Sequence, residues 1–152
     1  MSKKEWGNAV WNLFHVLTVK LKPEYESEIP KIIDIITNVC EMLPCPICKE
    51  HSMAILSKIK NTEMYKNKES LIRFVWRFHN TVNVSIKHPI LNYDDLLPLY
   101  DKLNTITVLK TFIQIMRKQT NPTKKLLYSF HRNIYIKNFI EYIKKNIQKF
   151  NW

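Results

Sequence analysis

The sequence predicts an all-α protein, in which a four-helix bundle with a short fifth helix is followed by a basic helical C-terminal extension. Three observations support this fold class. Apolar residues recur three and four positions apart along most of the 152 residues, which is the spacing of amphipathic helices. Gly7 is the only glycine, which disfavours tight hairpin turns and excludes a glycine-rich phosphate-binding loop. A hydrophobic content of 45% is enough for a core and argues against general disorder.

Amphipathic stretches that end at prolines define the helices of the bundle. Pro23 ends the first stretch, Pro44 separates the second from the third, and Pro89 stops the fourth. The short fifth stretch has Asn92 or Tyr93 near its N-cap. Short loops between such helices favour an up-and-down bundle. The five predicted helices cover about residues 3–20, 25–42, 45–59, 69–86 and 94–103.

A change in charge divides the chain near Asn104. Residues 105–152 carry ten Lys and Arg against one acid, whereas residues 1–104 carry fourteen against twelve. We therefore predict a domain over 1–104 and a basic extension over 105–152. The basic surface is either simply solvated or a site for an anionic partner such as nucleic acid, and no nucleic-acid-binding motif is visible. Within the extension, helices are predicted over 106–118 and 124–150, separated by Asn121-Pro122.

The sequence shows no secretory signal and no run of about 18 apolar residues that could cross a membrane. We therefore expect a cytoplasmic protein with no membrane insertion. Its three cysteines are too few for a secreted fold held by disulfides. A Cys-x-x-Cys pair in this setting indicates redox chemistry or metal binding instead.

The Cys-x-x-Cys pair is Cys45 and Cys48, at the predicted start of the third helix. A helix N-terminus favours the thiolate, which is the reactive form of cysteine. The pair can therefore close a small redox-active disulfide. It can also be half of a zinc site, with His51 and either His15 or His79, although these spacings match no standard zinc finger.

A group of polar and aromatic residues shares one face of the fourth predicted helix. Trp76, His79, Asn80, Asn83 and Lys87 lie at spacings that place them together. An aromatic ring, an imidazole and two amides suit a flat heterocycle with polar edges. The alternative is a buried polar cluster that only stabilises the fold.

The first predicted helix repeats this arrangement, because Gly7, Trp11 and His15 are four residues apart. A glycine inside a helix costs about 1 kcal/mol relative to alanine. That cost is explained if a ligand approaches the backbone closely at Gly7. The alternative is that the helix end frays there, so that the cost is small.

The order and spacing of the motifs on the first helix, at the cysteine pair and on the fourth helix resemble those of the Erv/ALR family of FAD-dependent sulfhydryl oxidases. The family pattern has Gly, Trp and His four residues apart, then Cys-x-x-Cys, then His-Asn-x-Val-Asn. The resemblance covers about residues 5–103 and is closest in character to members from large DNA viruses. The matching residues are Gly7, Trp11, His15, Cys45, Cys48, His79, Asn80, Val82 and Asn83.

The resemblance implies that FAD lies in the bundle and that the protein makes disulfide bonds. Electrons would pass from a substrate dithiol through Cys45 and Cys48 to FAD and then to O₂, giving hydrogen peroxide. Cys45 would exchange with the substrate, and Cys48 would face the flavin. The implied cofactor-binding residues are Gly7, Trp11, His15, His51, Trp76, His79, Asn80, Val82 and Asn83, with Lys87 or His88 near the phosphates.

The resemblance also implies a homodimer through the first two helices and a dithiol protein as substrate. Cys40 is the one cysteine outside the pair, so the chain lacks a second shuttle pair and a thioredoxin-like carrier is expected. Cys40 itself is either a buried core residue or a resolving thiol. A viral member would act in the host cytoplasm or the virion. The competing interpretations are a zinc-binding module and a basic helical interaction module.

Overall fold

The computed structural model describes residues 2–118 and 126–152, with the backbone alone for 126–129. These residues form helices and contain no strand, so the predicted all-α fold class is confirmed. None of their helices combines the length and the apolar character needed to cross a membrane. The predicted break at Asn121-Pro122 lies outside the described residues. The helices are α1 (Lys3–Val19), α2 (Ile29–Glu41), α3 (Pro46–Ile59), α4 (Lys68–Ser85), α5 (Tyr93–Asp101), α6 (Thr105–Lys118) and α7 (Leu126–Asn146).

Asparagine side chains mark the starts of α4 and α5. The side-chain oxygen of Asn67 accepts a hydrogen bond from the backbone N–H of Ser70 at 2.8 Å. Asn92 accepts in the same way from Asp94 at 2.9 Å, so it is the N-cap of the fifth helix. These contacts satisfy N–H groups that have no partner inside the helix.

The predicted start of the second helix near Tyr25 is wrong. Pro23–Glu28 forms a short 3₁₀ helix with a kink at Tyr25, and α2 begins at Ile29. The reason is Pro30, which fits in the first turn of a helix, where its missing N–H costs nothing. In a helix that started near residue 25, the Pro30 ring would clash with the carbonyl of an earlier turn.

α1 lies at the centre of the molecule. Every residue from Leu13 to Leu21 is buried, including His15, Thr18 and Lys20. The helices α2, α4, α5 and α6 pack around it. A helix on the surface of a bundle keeps one face in water, whereas the second half of α1 has no face left exposed.

The extension takes part in the same hydrophobic core as the bundle. Phe112 of α6 and Phe139 of α7 belong to the buried cluster that contains the apolar residues of α1 and α2. The hydroxyl of Tyr135 on α7 donates to the carbonyl of Ile35 on α2 at 3.3 Å. The change in charge near Asn104 therefore does not coincide with a break in the core.

The last residues of the chain return to the end of α1. The backbone N–H of Asn151 donates to the carbonyl of Lys20 at 2.7 Å, and that of Lys22 donates to Lys149 at 2.9 Å. Phe150, between these contacts, is 1% exposed. This end of the extension is thus held to α1 by backbone hydrogen bonds as well as by packing.

We predict that Phe112→Ala lowers the free energy of unfolding by about 3–5 kcal/mol, the usual cost of deleting a buried phenylalanine side chain. The side chain of Phe112 is fully buried in the core, with 0% of its surface exposed. Urea denaturation measures the change, and Gln114→Ala, at an exposed position of the same helix, is the matched control. An equal, small effect of both variants would show that α6 is not part of the core.

Candidate active site

Cys45 and Cys48 are joined as a disulfide at the N-terminus of α3. Cys45 is the N-cap, and its Sγ accepts a hydrogen bond from the backbone N–H of Cys48 at 3.2 Å. Pro46 occupies the first turn, where a proline is best tolerated. After reduction, the helix N-terminus would stabilise a thiolate on Cys45. Ile47, between the two cysteines, is 78% exposed, so a partner can reach the pair.

Two histidines on different helices form the polar centre of the bundle. His15 Nε2 of α1 and His79 Nδ1 of α4 lie 2.8 Å apart, within hydrogen-bond distance. The His79 ring stacks on Trp11, with 4.0 Å between centroids and 8° between planes. The His15 ring stacks on Tyr100 of α5 at 4.1 Å. Both rings are therefore fixed by an aromatic neighbour and by each other.

Both imidazoles are neutral at neutral pH. Burial lowers the pKa of His15 well below its ordinary value of 6.5, and the nearby His79 lowers it further. Burial also lowers the pKa of His79, to about 4. The cause is that a buried cation loses its hydration without gaining a counter-charge. Burial raises the pKa of Tyr100 to about 12, so this neighbour is neutral as well.

The amides and the indole predicted on α4 have different roles in the structure. Asn80 donates to the carbonyl of Leu91 and accepts from its N–H, both at 2.9 Å. The indole N–H of Trp76 donates to the same carbonyl at 2.8 Å. These two side chains therefore hold the segment that follows α4, a role that no sequence signal indicates because the partner is backbone.

Asn83 differs from Asn80, because no described residue forms a hydrogen bond with its side-chain amide. The residue is nevertheless 8% exposed. The amide atoms of Asn83 are not among the fully buried atoms that lack a partner, so the amide is accessible and is suited to bind a ligand. Val82, beside it, is half-buried and packs against the core.

The end of α4 has an unusual backbone conformation at Lys87, whose φ is 60°. This left-handed conformation costs a residue with a side chain on the order of 1 kcal/mol, and glycine usually occupies it. The next N–H, of His88, donates to the carbonyl of Asn83 at 2.8 Å. The side chains of Lys87 and His88 are both exposed, and either can meet an anionic group.

Gly7 and His51 complete the predicted set. A Cβ added to Gly7 would meet no atom within 4 Å, so space is open on that side of α1. His51 is half-buried, one turn after Cys48 on α3. Within 2–118 and 126–152, no three His, Cys, Asp or Glu residues are placed to hold a metal ion. The zinc interpretation therefore has no ligand set in the described part of the chain.

An all-α bundle that has a Cys-x-x-Cys disulfide at a helix N-terminus and a stacked aromatic–imidazole centre defines a helical thiol–disulfide redox protein. The sequence model of the Erv1/Alr family matches residues 8–101. The chain belongs to the Erv1/Alr family, and the resemblance predicted from the motifs is confirmed.

Proteins similar to this chain occur in large DNA viruses, as the resemblance predicts. The chain is 30% identical over 114 residues to a protein named FAD-linked sulfhydryl oxidase from African swine fever virus (isolate Tick/Malawi/Lil 20-1/1983), covering 70% of this chain and 90% of the relative. A protein of the same name from isolate Pig/Kenya/KEN-50/1950 is 29% identical with the same coverage. The "Probable FAD-linked sulfhydryl oxidase FPV093" of Fowlpox virus is 28% identical over 74 residues, 49% of this chain and 72% of the relative. No solved structure gives a significant match.

We predict that the histidine pair makes stability fall as pH falls. The unfolded chain binds a proton at His79 near pH 6.5, whereas the folded chain binds it only near pH 4. Stability is therefore complete above pH 6.5 and decreases below it, by roughly 3 kcal/mol for His79 at pH 4. Urea denaturation at pH 7 and pH 4 should show a larger loss for the wild type than for His79→Gln.

The matched control is His131→Gln, because His131 is exposed on α7. This variant should lose as much stability on acidification as the wild type. An equal loss in the wild type and in His79→Gln would contradict the neutral, buried pair.

Proposed function

We propose that this chain is an FAD-linked sulfhydryl oxidase that forms disulfide bonds in a protein substrate. With FAD bound, electrons from the substrate dithiol would pass through Cys45 and Cys48 to the flavin and then to O₂, which would give hydrogen peroxide. The proposal rests on the Cys45–Cys48 disulfide at the start of α3, in a chain that belongs to the Erv1/Alr family. The viral relatives named FAD-linked sulfhydryl oxidase support it.

The position of Cys45 defines the order of the thiol exchange. A substrate thiolate attacks Cys45 Sγ, a substrate–Cys45 bond forms, and Cys48 leaves as a thiolate. The second substrate thiol then attacks the substrate sulfur that is bonded to Cys45, which closes the substrate disulfide and releases Cys45. The helix N-terminus and the Cys48 N–H stabilise the Cys45 thiolate. The substrate has then lost two electrons, and both cysteines are reduced. Bound FAD supplies the redox chemistry that takes these electrons to O₂.

The residues of the site fit a flat heterocycle such as the flavin ring. Trp11 is a half-buried aromatic ring stacked on His79, Asn83 has an unpaired amide, and the side of α1 at Gly7 is open. Nε2 of His79 forms no hydrogen bond with a described residue. Trp76 and Asn80 would act by holding the Leu91 segment. The proposed binding set is Gly7, Trp11, His51, Trp76, His79, Asn80, Val82 and Asn83, with Lys87 or His88 near the phosphates and His15 behind His79.

The substrate of this reaction is a dithiol protein, which we propose to be a thioredoxin-like carrier. The chain has three cysteines, and Cys40 is the one outside the redox pair. Cys40 is 1% exposed, and burial raises its pKa to about 12. A thiol that is buried and protonated is a poor nucleophile. Without a second shuttle pair in this chain, a separate carrier would deliver the electrons of the final substrate.

We propose residues 1–104 as the unit that performs the reaction and residues 105–152 as an extension, whose described helices pack on that unit. The host cytoplasm or the virion is the proposed site of action, by analogy with the viral relatives. Homodimerisation is a further part of the proposal, and light scattering would measure it. Other helices of the same chain bury α1 from Leu13 onward, so a dimer through the first two helices would use the N-terminal half of α1 and the exposed side of α2.

We predict that the purified protein has the visible absorption spectrum of a flavin. Dithiothreitol should bleach this spectrum without air, and admitting air should restore it with release of peroxide. Cys48→Ser should keep FAD but lose both the bleaching and the turnover, because no intramolecular disulfide can form. Anaerobic spectrophotometry and a peroxide assay measure the two effects.

The matched control is Cys40→Ala, which removes the buried cysteine outside the pair and should turn over like the wild type. Full turnover by Cys48→Ser would remove Cys48 from the mechanism. A wild-type protein that neither contains nor takes up FAD would refute the proposed function as a whole.

We predict different effects of alanine at the two asparagines of α4. Asn83→Ala should weaken FAD binding about tenfold, the loss of one hydrogen bond to a ligand, with little effect on the free protein. Asn80→Ala should mainly lower the stability of the free protein, because it breaks both contacts with Leu91. FAD titration and urea denaturation separate the two. Unchanged FAD affinity in Asn83→Ala would show that its amide faces no cofactor.

A further inference from the structure

The bond between His15 and His79 determines which nitrogen of each ring holds a proton. The two rings meet through Nε2 of His15 and Nδ1 of His79 at 2.8 Å. One of these nitrogens donates and the other accepts, because both rings are neutral. A neutral imidazole has one N–H, so this single hydrogen bond fixes the tautomers of both histidines together.

Two arrangements satisfy the bond. In the first, His15 donates from Nε2–H, and His79 accepts at Nδ1 and has its own proton on Nε2. In the second, His79 donates from Nδ1–H, and His15 accepts at Nε2 and has its proton on Nδ1. The first arrangement gives both rings the Nε2–H tautomer, and the second gives both the Nδ1–H tautomer.

The surroundings of His15 favour the first arrangement. Nδ1 of His15 is completely buried and has no hydrogen-bond partner. The second arrangement would leave an unpaired N–H donor at that atom, and orphaned buried N–H groups are rarer than under-satisfied acceptors. It would also require both rings to adopt the Nδ1–H tautomer, which the neutral histidine side chain disfavours in water. The first arrangement avoids both costs.

We propose that His15 is a positioning residue that holds His79 as its Nε2–H tautomer, so that His79 presents a fixed hydrogen-bond donor to an acceptor atom of the cofactor. His15 is 0% exposed, so it acts through His79. This inference rests on the proposed function for the identity of the ligand. The tautomers themselves are a property of the free protein.

Trp11 and Tyr100 fix the orientation of the Nε2–H donor of His79. The His79 ring is held parallel to Trp11 on one face, and His15 is held against Tyr100. Rotation of either ring would break a stack and the hydrogen bond. Nε2 of His79 forms no bond with a described residue, so its proton is available to a ligand. A donor that is already oriented costs less entropy when the ligand binds.

The first experiment measures the tautomers in the free protein. Long-range ¹H–¹⁵N correlation spectra of the full chain labelled with ¹⁵N-histidine distinguish protonated from unprotonated ring nitrogens. We expect Nε2–H with unprotonated Nδ1 at both His15 and His79, assigned with His15→Phe and His79→Gln. An Nδ1–H signal at either residue would overturn the proposal, whether or not the protein binds FAD.

The second experiment compares two substitutions of His15. His15→Phe keeps a ring that can stack on Tyr100 but cannot donate, whereas the amide of His15→Gln places N–H donors near the position of Nε2. We expect His15→Phe to lose the single His79 tautomer and to bind FAD about tenfold more weakly. We expect His15→Gln to keep most of the tautomer preference and most of the FAD affinity. Thr81→Ala, at an exposed position of α4, is the matched control and should change neither.

These readouts separate the possible failures. A purely structural role would lower the stability of both variants and leave the His79 spectrum unchanged, which would overturn the positioning role. Equal FAD affinity in the wild type and His15→Phe would overturn it as well. Absence of FAD binding by the wild type would refute the proposed function, while the tautomer spectrum would still report on the histidine pair.

Discussion

The complete burial of the second half of α1 is the constraint on which the rest of the structure depends. Nine consecutive residues, Leu13 to Leu21, are each at most 5% exposed, and four other helices surround them. The bundle helices α2 and α4 and the short α5 cover only part of this surface. α6 covers the remainder, and for this reason residues beyond Asn104 belong to the core although their charge differs from that of the bundle.

The same burial forces the polar residues of α1 to find partners inside the protein. Thr18 donates to the carbonyl of His15 at 3.0 Å, and the ammonium of Lys20 donates to the carbonyl of Asp101. His15 finds its partner in His79 on α4. Because a buried polar group without a hydrogen bond costs several kcal/mol, the contacts of His15 and Lys20 fix the relative positions of α1, α4 and α5. The candidate cofactor site is built on the contact between α1 and α4.

Periodicity and prolines were enough to predict the all-α class and the approximate extents of α3 to α6. They failed at the start of α2, where apolar spacing continues through Tyr25 but Pro30 permits a helix only from Ile29. They also could not predict the role of Asn80, because its partner is the backbone of Leu91. Sequence spacing places side chains on a common face, whereas the partners of that face depend on which segment packs opposite it.

The packing of the extension places most of its described basic side chains in water, although Arg132 is buried. The apolar side chains of α6 and α7, such as Phe112 and Phe139, are directed into the core. Lys110, Lys137 and Lys144 are on the exposed side of these helices, where water and salt weaken their mutual repulsion. The contact of α6 with α1 therefore uses the apolar face of α6, and the lysines on the outer faces of α6 and α7 do not disturb the core.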